Sequence, residues 1–149
     1  MASTQMSSTT PIPISRLAKI ASDVCDSVFQ STHTYDHAST SSQNTNIINT
    51  ILQCLISEPS TSGQPPQYKY MVTSTIIQQN TTSHVMDEDS QATARAVEGE
   101  GSLAAKRGMH SASGAYWNNE KDGMWSFKYE KAESMGFDVI ISIVWISVA

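Results

Sequence analysis

Apolar positions along this 149-residue chain form two helical stripes followed by several strand-like runs. Leu17, Ile20, Ala21, Val24, Cys25, Val28 and Phe29 recur at three- and four-residue intervals, which places them on one face of a helix starting near Ile14. Ser15 is a suitable cap for that helix. A second stripe, Ile47, Ile48, Ile51, Leu52, Leu55 and Ile56, is stopped by Pro59 and Gly63. Between the stripes, Ser31 to Ser42 is polar and reads as turns. After Pro65-Pro66 the pattern changes. Tyr68, Tyr70, Val72 and Ile76 fall on one side, and Met71, Thr73, Thr75 and Ile77 on the other, with the β-branched and aromatic types that strands favour.

Three further strand-like runs follow: Met109 to Trp117, Met124 to Glu130 and Phe137 to Val148. Asn118, Asn119, Asp122 and Gly123 supply hairpin chemistry between the first two, and Gly136 marks the bend into the last. Two helices and then four strands predict an α+β fold, with both helices packed on one face of an antiparallel sheet. Residues 1–13 read as a disordered tail and 14–149 as one domain. Within that domain, residues 81–107 carry acidic and glycine-rich stretches and few apolar positions, so they read as a long surface loop with at most a marginal helix over Gln91 to Val97.

The last run carries a consequence beyond the single chain. Val139, Ile141, Ile143 and Trp145 alternate with Ile140, Val144, Ile146 and Val148, so both faces of the final strand are apolar. Two helices cover one face only. At about 25 cal/mol per Å² of apolar surface left in water, the bare face costs several kcal/mol, comparable to the stability of a small domain. A second, identical subunit is the expected cover, with Ile141, Ile143, Trp145 and Trp117 as its contact residues.

Composition narrows the function classes. The net charge of -5 and the scatter of nine Lys and Arg residues provide no basic stripe for nucleic acid. The longest apolar run, Val139 to Val148, is well short of the roughly 20 residues that span a bilayer as a helix. The polar N-terminus lacks the apolar core of a secretory leader, so a cytoplasmic chain is expected. Its two cysteines, Cys25 and Cys54, should then be free thiols on apolar helix faces. His33, His37, His84 and His110 have no metal-pair spacing, and neither cysteine belongs to a CxxC motif. Asp87-Glu88-Asp89 lacks the alternating ligands and glycine of a calcium loop, and Gly99 and Gly101 form no phosphate cradle. No metal, no cofactor and no catalytic constellation is expected.

Tyr68-Lys-Tyr-Met-Val-Thr73, Ile76-Ile-Gln-Gln-Asn80, His110-Ser-Ala-Ser113 running to Tyr116-Trp117, Asp122-Gly123 and Tyr129-Glu130 follow Ser15 to Gln30 and the Tyr35-Asp36-His37 turn. In order and spacing these segments resemble the Tctex-type dynein light chain family. The resemblance spans residue 14 to the C-terminus apart from the 81–107 loop, which the family usually replaces by a few residues. It implies a homodimer in which the segment from about Gly108 to Trp117 is exchanged between subunits. It also implies that Met109, His110, Ser111, Ala112, Ser113, Gly114, Ala115 and Tyr116 accept an extended peptide of the dynein intermediate chain or of cargo by β-augmentation. The small side chains at 111–115 suit close backbone approach, and they suit tight packing against a helix or subunit equally well. The long loop leaves a closed arrangement available beside the exchanged one.

The function so implied is a non-catalytic, dimeric accessory light chain of cytoplasmic dynein, associated with microtubules and serving transport. A dynein-independent adaptor of the same fold is a close variant. A small enzyme using His110 and Ser111 at the subunit interface is the reading from another class, and it lacks a base, an orienting carboxylate and an oxyanion donor at recognisable spacing.

Overall fold

The computed structural model describes residues 10–58, 67–79 and 110–148. The expected 81–107 loop, most of the 1–13 tail, the Pro59 and Gly63 helix stop, His84 and Met109 lie outside the described residues.

Helix α1 spans Ile14–Val28 and buries Leu17, Ile20, Ala21, Val24 and Cys25, the stripe read from sequence. Its N-cap is Pro13, whose carbonyl accepts from the amides of Arg16 at 2.9 Å and Leu17 at 3.0 Å. Ser15 therefore lies inside the helix and does not cap it. The apolar packing begins before the helix, because Ile12 is only 4% exposed and belongs to the core, although the tail was expected to run to residue 13.

A short 3-10 turn, His37–Ser39, leads into helix α2, Thr40–Ser57. Asp36 organises this entry by accepting from the Ala38 amide at 3.1 Å and from the Ser39 hydroxyl. Helix α2 starts well before its apolar stripe. Hydroxyls in its polar first half bond back to main-chain carbonyls, Thr40 to His37 at 2.8 Å, Ser42 to Ser39 at 2.9 Å and Thr45 to Ser41 at 2.9 Å. Ile47, Ile51 and Leu55 form its buried face.

The strands are β1, Tyr68–Gln78; β2, Gly123–Tyr129; and β3, Phe137–Ser147. They form an antiparallel sheet in the order β1-β3-β2, with Ile143 opposite both Val72 and Trp125. The mixed α+β architecture matches the expectation, but the sheet has three strands among the described residues and not four. The missing one is Met109 to Trp117: its described part, 110–117, has no strand pairing. Its run of Ser, Ala and Gly supplies few of the β-branched side chains that hold a strand by packing. A second short 3-10 turn, Glu130–Met135, joins β2 to β3 and ends at Gly136, whose φ of 87° lies in the left-handed region that glycine adopts freely.

Both helices lie on the face that carries Tyr129, Phe137, Val139, Ile141, Ile143 and Trp145. Helix α1 contacts β2 and helix α2 contacts β1, where the Ser74 hydroxyl donates to Asn44 Oδ1 at 2.8 Å. Phe29 of the α1 end sits 5.2 Å from Phe137 and 5.8 Å from Tyr129 between ring centroids, which gives the core an aromatic corner. The opposite face is uncovered by any helix among the described residues. On it Met71 is 57%, Met124 43% and Ile146 42% exposed, while Val144, flanked by Met71 and Met124 in the register, is 8% exposed.

Candidate functional site

The open side of β2 and the segment that precedes it form the candidate site. In the order β1-β3-β2, strand β2 pairs with β3 along one edge, and its other edge has no strand neighbour among the described residues. An unpaired edge is a row of amide and carbonyl groups ready for another strand.

Upstream of β2, His110, Ser111, Ala112, Ser113, Gly114, Ala115 and Tyr116 are all exposed and outside any strand, and Tyr116 is fully exposed. They are brought together only as a continuous stretch of chain, an arm outside the sheet. A Cβ added at Gly114 would meet nothing within 4 Å, so there is open space at that position of the arm. Met109 lies outside the described residues.

The root of the arm is, by contrast, densely bonded. The amides of Lys121 and Asp122 donate to the Asn118 carbonyl at 3.1 and 2.8 Å. The Glu120 amide donates to Asn118 Oδ1 at 3.0 Å, and the Trp117 indole N–H to Asn119 Oδ1 at 3.1 Å. Asp122 ties this turn to the sheet: its Oδ2 accepts from the Asn118 amide at 2.8 Å and its Oδ1 from the Ser147 amide at 2.6 Å. The Asn and Asp residues read as hairpin chemistry thus do make a turn, but the arm beyond it is not laid onto β2.

Gly123 opens β2 directly opposite Trp145. A Cβ there would lie 2.5 Å from Cζ2 and 2.8 Å from Cε2 of that indole, so the ring covers the glycine and only hydrogen fits. At the other end of β2 the Tyr129 hydroxyl donates to Asp26 Oδ1 at 2.7 Å, and Lys131 Nζ reaches both Asp26 oxygens at 2.8 and 2.9 Å. Hydrogen bonds from Lys131 and then Tyr129 hold the Asp26 carboxyl below its ordinary value, while burial and the Asp26 charge push the Tyr129 hydroxyl up. These contacts clamp the end of α1 onto the strand whose edge is open.

The residues expected to meet a second subunit are corrected by this arrangement. Ile141 and Ile143 are 0% exposed and Trp145 3%, all beneath the chain's own helices, so they are core residues with no surface left for a partner. Period-2 alternation shows that both faces of β3 are apolar but does not say which one the helices take. The aromatic corner at Phe29 settles it for the face of Phe137, leaving Met71, Met124, Val144 and Ile146 outward. Trp117 is half-buried at the arm's root. Alternation had already placed Val144 and Ile146 together, so the open patch was within reach of sequence reasoning. The bond from the Ser147 amide to Asp122 was not, because a link across 25 residues leaves no local signal.

No group of three or more His, Cys, Asp or Glu residues is placed to hold a metal ion among the described residues. Both cysteines are free, and burial pushes the Cys25 thiol up to about 12, so it is inert as a nucleophile. His110 and Ser111, the pair weighed for catalysis, are both exposed. A further depression among the described residues, lined by Arg16, Thr50, Gln53, Cys54, Ser57 and Glu58, is shallow and bridged by hydrogen bonds from Arg16 Nε and a terminal guanidinium nitrogen to Glu58 Oε1 at 2.8 and 2.6 Å. No helix of the described residues is long and apolar enough to cross a membrane.

A model of the Tctex-1 family matches residues 11–146. The Dynein light chain Tctex-type of Schizosaccharomyces pombe is 30% identical over 138 residues, covering 93% of this chain and 97% of that protein. The match starting at residue 11 takes in the buried Ile12.

Proposed function

Because the chain belongs to the Tctex-1 family, we propose that it is a non-catalytic accessory light chain of cytoplasmic dynein. In this reading it works as a homodimer that holds an extended segment of the dynein intermediate chain, and of cargo, for movement along microtubules. The observation that carries the reading is the exposed arm at 110–116, outside any strand, together with a β2 edge that has no strand neighbour among the described residues. Each copy offers both a strand to give and an edge to receive, so two copies satisfy each other's main-chain groups. The outward Met71, Met124 and Ile146 patch is the apolar cover such a pair shares. Once docked, the outer edge of the arm remains free for a partner peptide, with Ser111, Ala112, Ser113, Gly114 and Ala115 allowing close backbone approach. Two sites in one dimer give a bivalent clamp, which raises avidity by about 10² to 10⁴ over one weak site.

Affinity capture of the tagged full-length chain from cell extract, with mass spectrometry of what co-purifies, tests the assignment. Dynein intermediate chain should be enriched, and the enrichment should fall when Ser111 and Ser113 are both replaced by Pro, which removes main-chain donors without touching the core. Consistent absence of dynein subunits overturns the dynein assignment and leaves an adaptor of the same fold acting elsewhere.

A further inference from the structure

We propose that Asp122 is the positioning residue that fixes where the 110–116 arm leaves the sheet and so delivers it to a second copy of the chain; the proposal rests on the dimer reading above. The pairing of β2 with β3 starts at Gly123 opposite Trp145. One step further along an antiparallel ladder, Lys121 would stand opposite Ser147 and its carbonyl would take the Ser147 amide. The Ser147 amide instead donates to the Asp122 side chain at 2.6 Å. A carboxylate oxygen thus occupies the place of a strand carbonyl, and the main chain is released from the sheet at that residue.

The same carboxylate holds the far side of the turn. Its second oxygen accepts from the Asn118 amide at 2.8 Å, and the Asp122 amide donates to the Asn118 carbonyl at 2.8 Å. One side chain therefore joins the end of β3 to Asn118, the second residue beyond the arm. This root is fixed by bonds on both sides, while the described arm residues 110–116 are wholly exposed. A strand offered from a fixed root arrives at a partner edge with less orientational freedom left to lose, which lowers the ordering cost of pairing. With the root loosened, the arm samples many directions, including the fold-back onto its own β2.

The dissociation constant of the full-length dimer, measured by sedimentation equilibrium for wild type, D122N and D122A, tests this. Measurements are made where far-UV circular dichroism shows each variant as folded as wild type. D122A loses both acceptors and should weaken the dimer about tenfold or more. D122N keeps one acceptor and should fall between D122A and wild type. Hydrogen exchange at the β2 amides should speed up in D122A at equal protein concentration, a change that a merely local loss of stability at the turn does not produce. If D122A does not fold, D122N carries the test with an expected smaller weakening. A wild-type dimer whose dissociation constant is unchanged in both variants overturns the role of Asp122 and leaves the dimer standing. A wild-type chain that is monomeric throughout overturns the dimer, and this proposal with it.

Discussion

Replacing Gly123 by alanine puts opposing effects on one atom. In an ordinary strand, Gly→Ala stabilises by about 0.5–1 kcal/mol because alanine has less backbone freedom to lose. Here the new methyl would sit 2.5 Å from Cζ2, 2.8 Å from Cε2 and 3.0 Å from Nε1 of Trp145. That indole is 3% exposed, in the layer that holds Ile143 and Val139, so it has little room to tilt away. Overpacking of this kind costs about 1–3 kcal/mol. The close contact outweighs the entropy gain, and G123A should be destabilised by about 1–2 kcal/mol, a fall in Tm of roughly 2–8 °C for a domain of this size. Thermal and urea unfolding of wild type, G123A, W145L and the double variant check it as a cycle. The indole and the methyl compete for one space, so G123A should cost less in the W145L background than in wild type, with an interaction energy of about 1 kcal/mol. G123A as stable as wild type, or costs that simply add, would refute the reasoning.

Other outcomes follow from the same geometry. Asp26 is held below its ordinary value of 3.8 by Lys131 and Tyr129, so its contribution is complete above the unfolded value and is lost as pH falls through the depressed folded one. Its side chain is 40% exposed, which limits that contribution to about 1 kcal/mol; D26N should lose this near pH 7 and converge with wild type below about pH 3, and equal gaps at both pH values would contradict it. The two faces of β3 should answer differently: I143A should cost about 2–5 kcal/mol in urea unfolding, whereas I146S should leave unfolding of the single chain nearly unchanged and weaken self-association. Iodoacetamide at pH 8 should modify Cys54, which is partly exposed, and spare Cys25, whose thiol is buried and pushed up to about 12; peptide mass spectrometry reads both, and equal labelling would show that α1 opens readily.

What the sequence made legible was whatever repeats locally. The α1 stripe from Leu17 to Cys25 and the alternation in Phe137 to Val148 mark elements that exist very nearly where expected. Helix α2 was half seen, because its first turns are built from Thr40, Ser42, Asn44 and Thr45, which serve caps and turns as readily as helices. The Glu130–Met135 turn carries no period at all and went unread. The 109–117 run is expected as the fourth strand of the sheet, exchanged between subunits or closed on its own, but a strand exists only with a partner, and none of the described strands lies beside it. The choice of buried face on β3 depended on Phe29 meeting Phe137 across more than a hundred residues, a contact that periodicity does not encode. The family resemblance carried the 110–116 segment as a binding element, whereas the Asp122 link to Ser147 emerged only from three-dimensional proximity.

The central claim is that the 110–116 arm pairs with the β2 edge of a second copy. Isotope-filtered nuclear Overhauser spectroscopy on a one-to-one mixture of labelled and unlabelled full-length chain tests it most directly. The account predicts intermolecular contacts between main-chain protons of 110–116 and those of Gly123–Tyr129. Contacts between these segments that arise only within one chain, or no contacts at all, would contradict it.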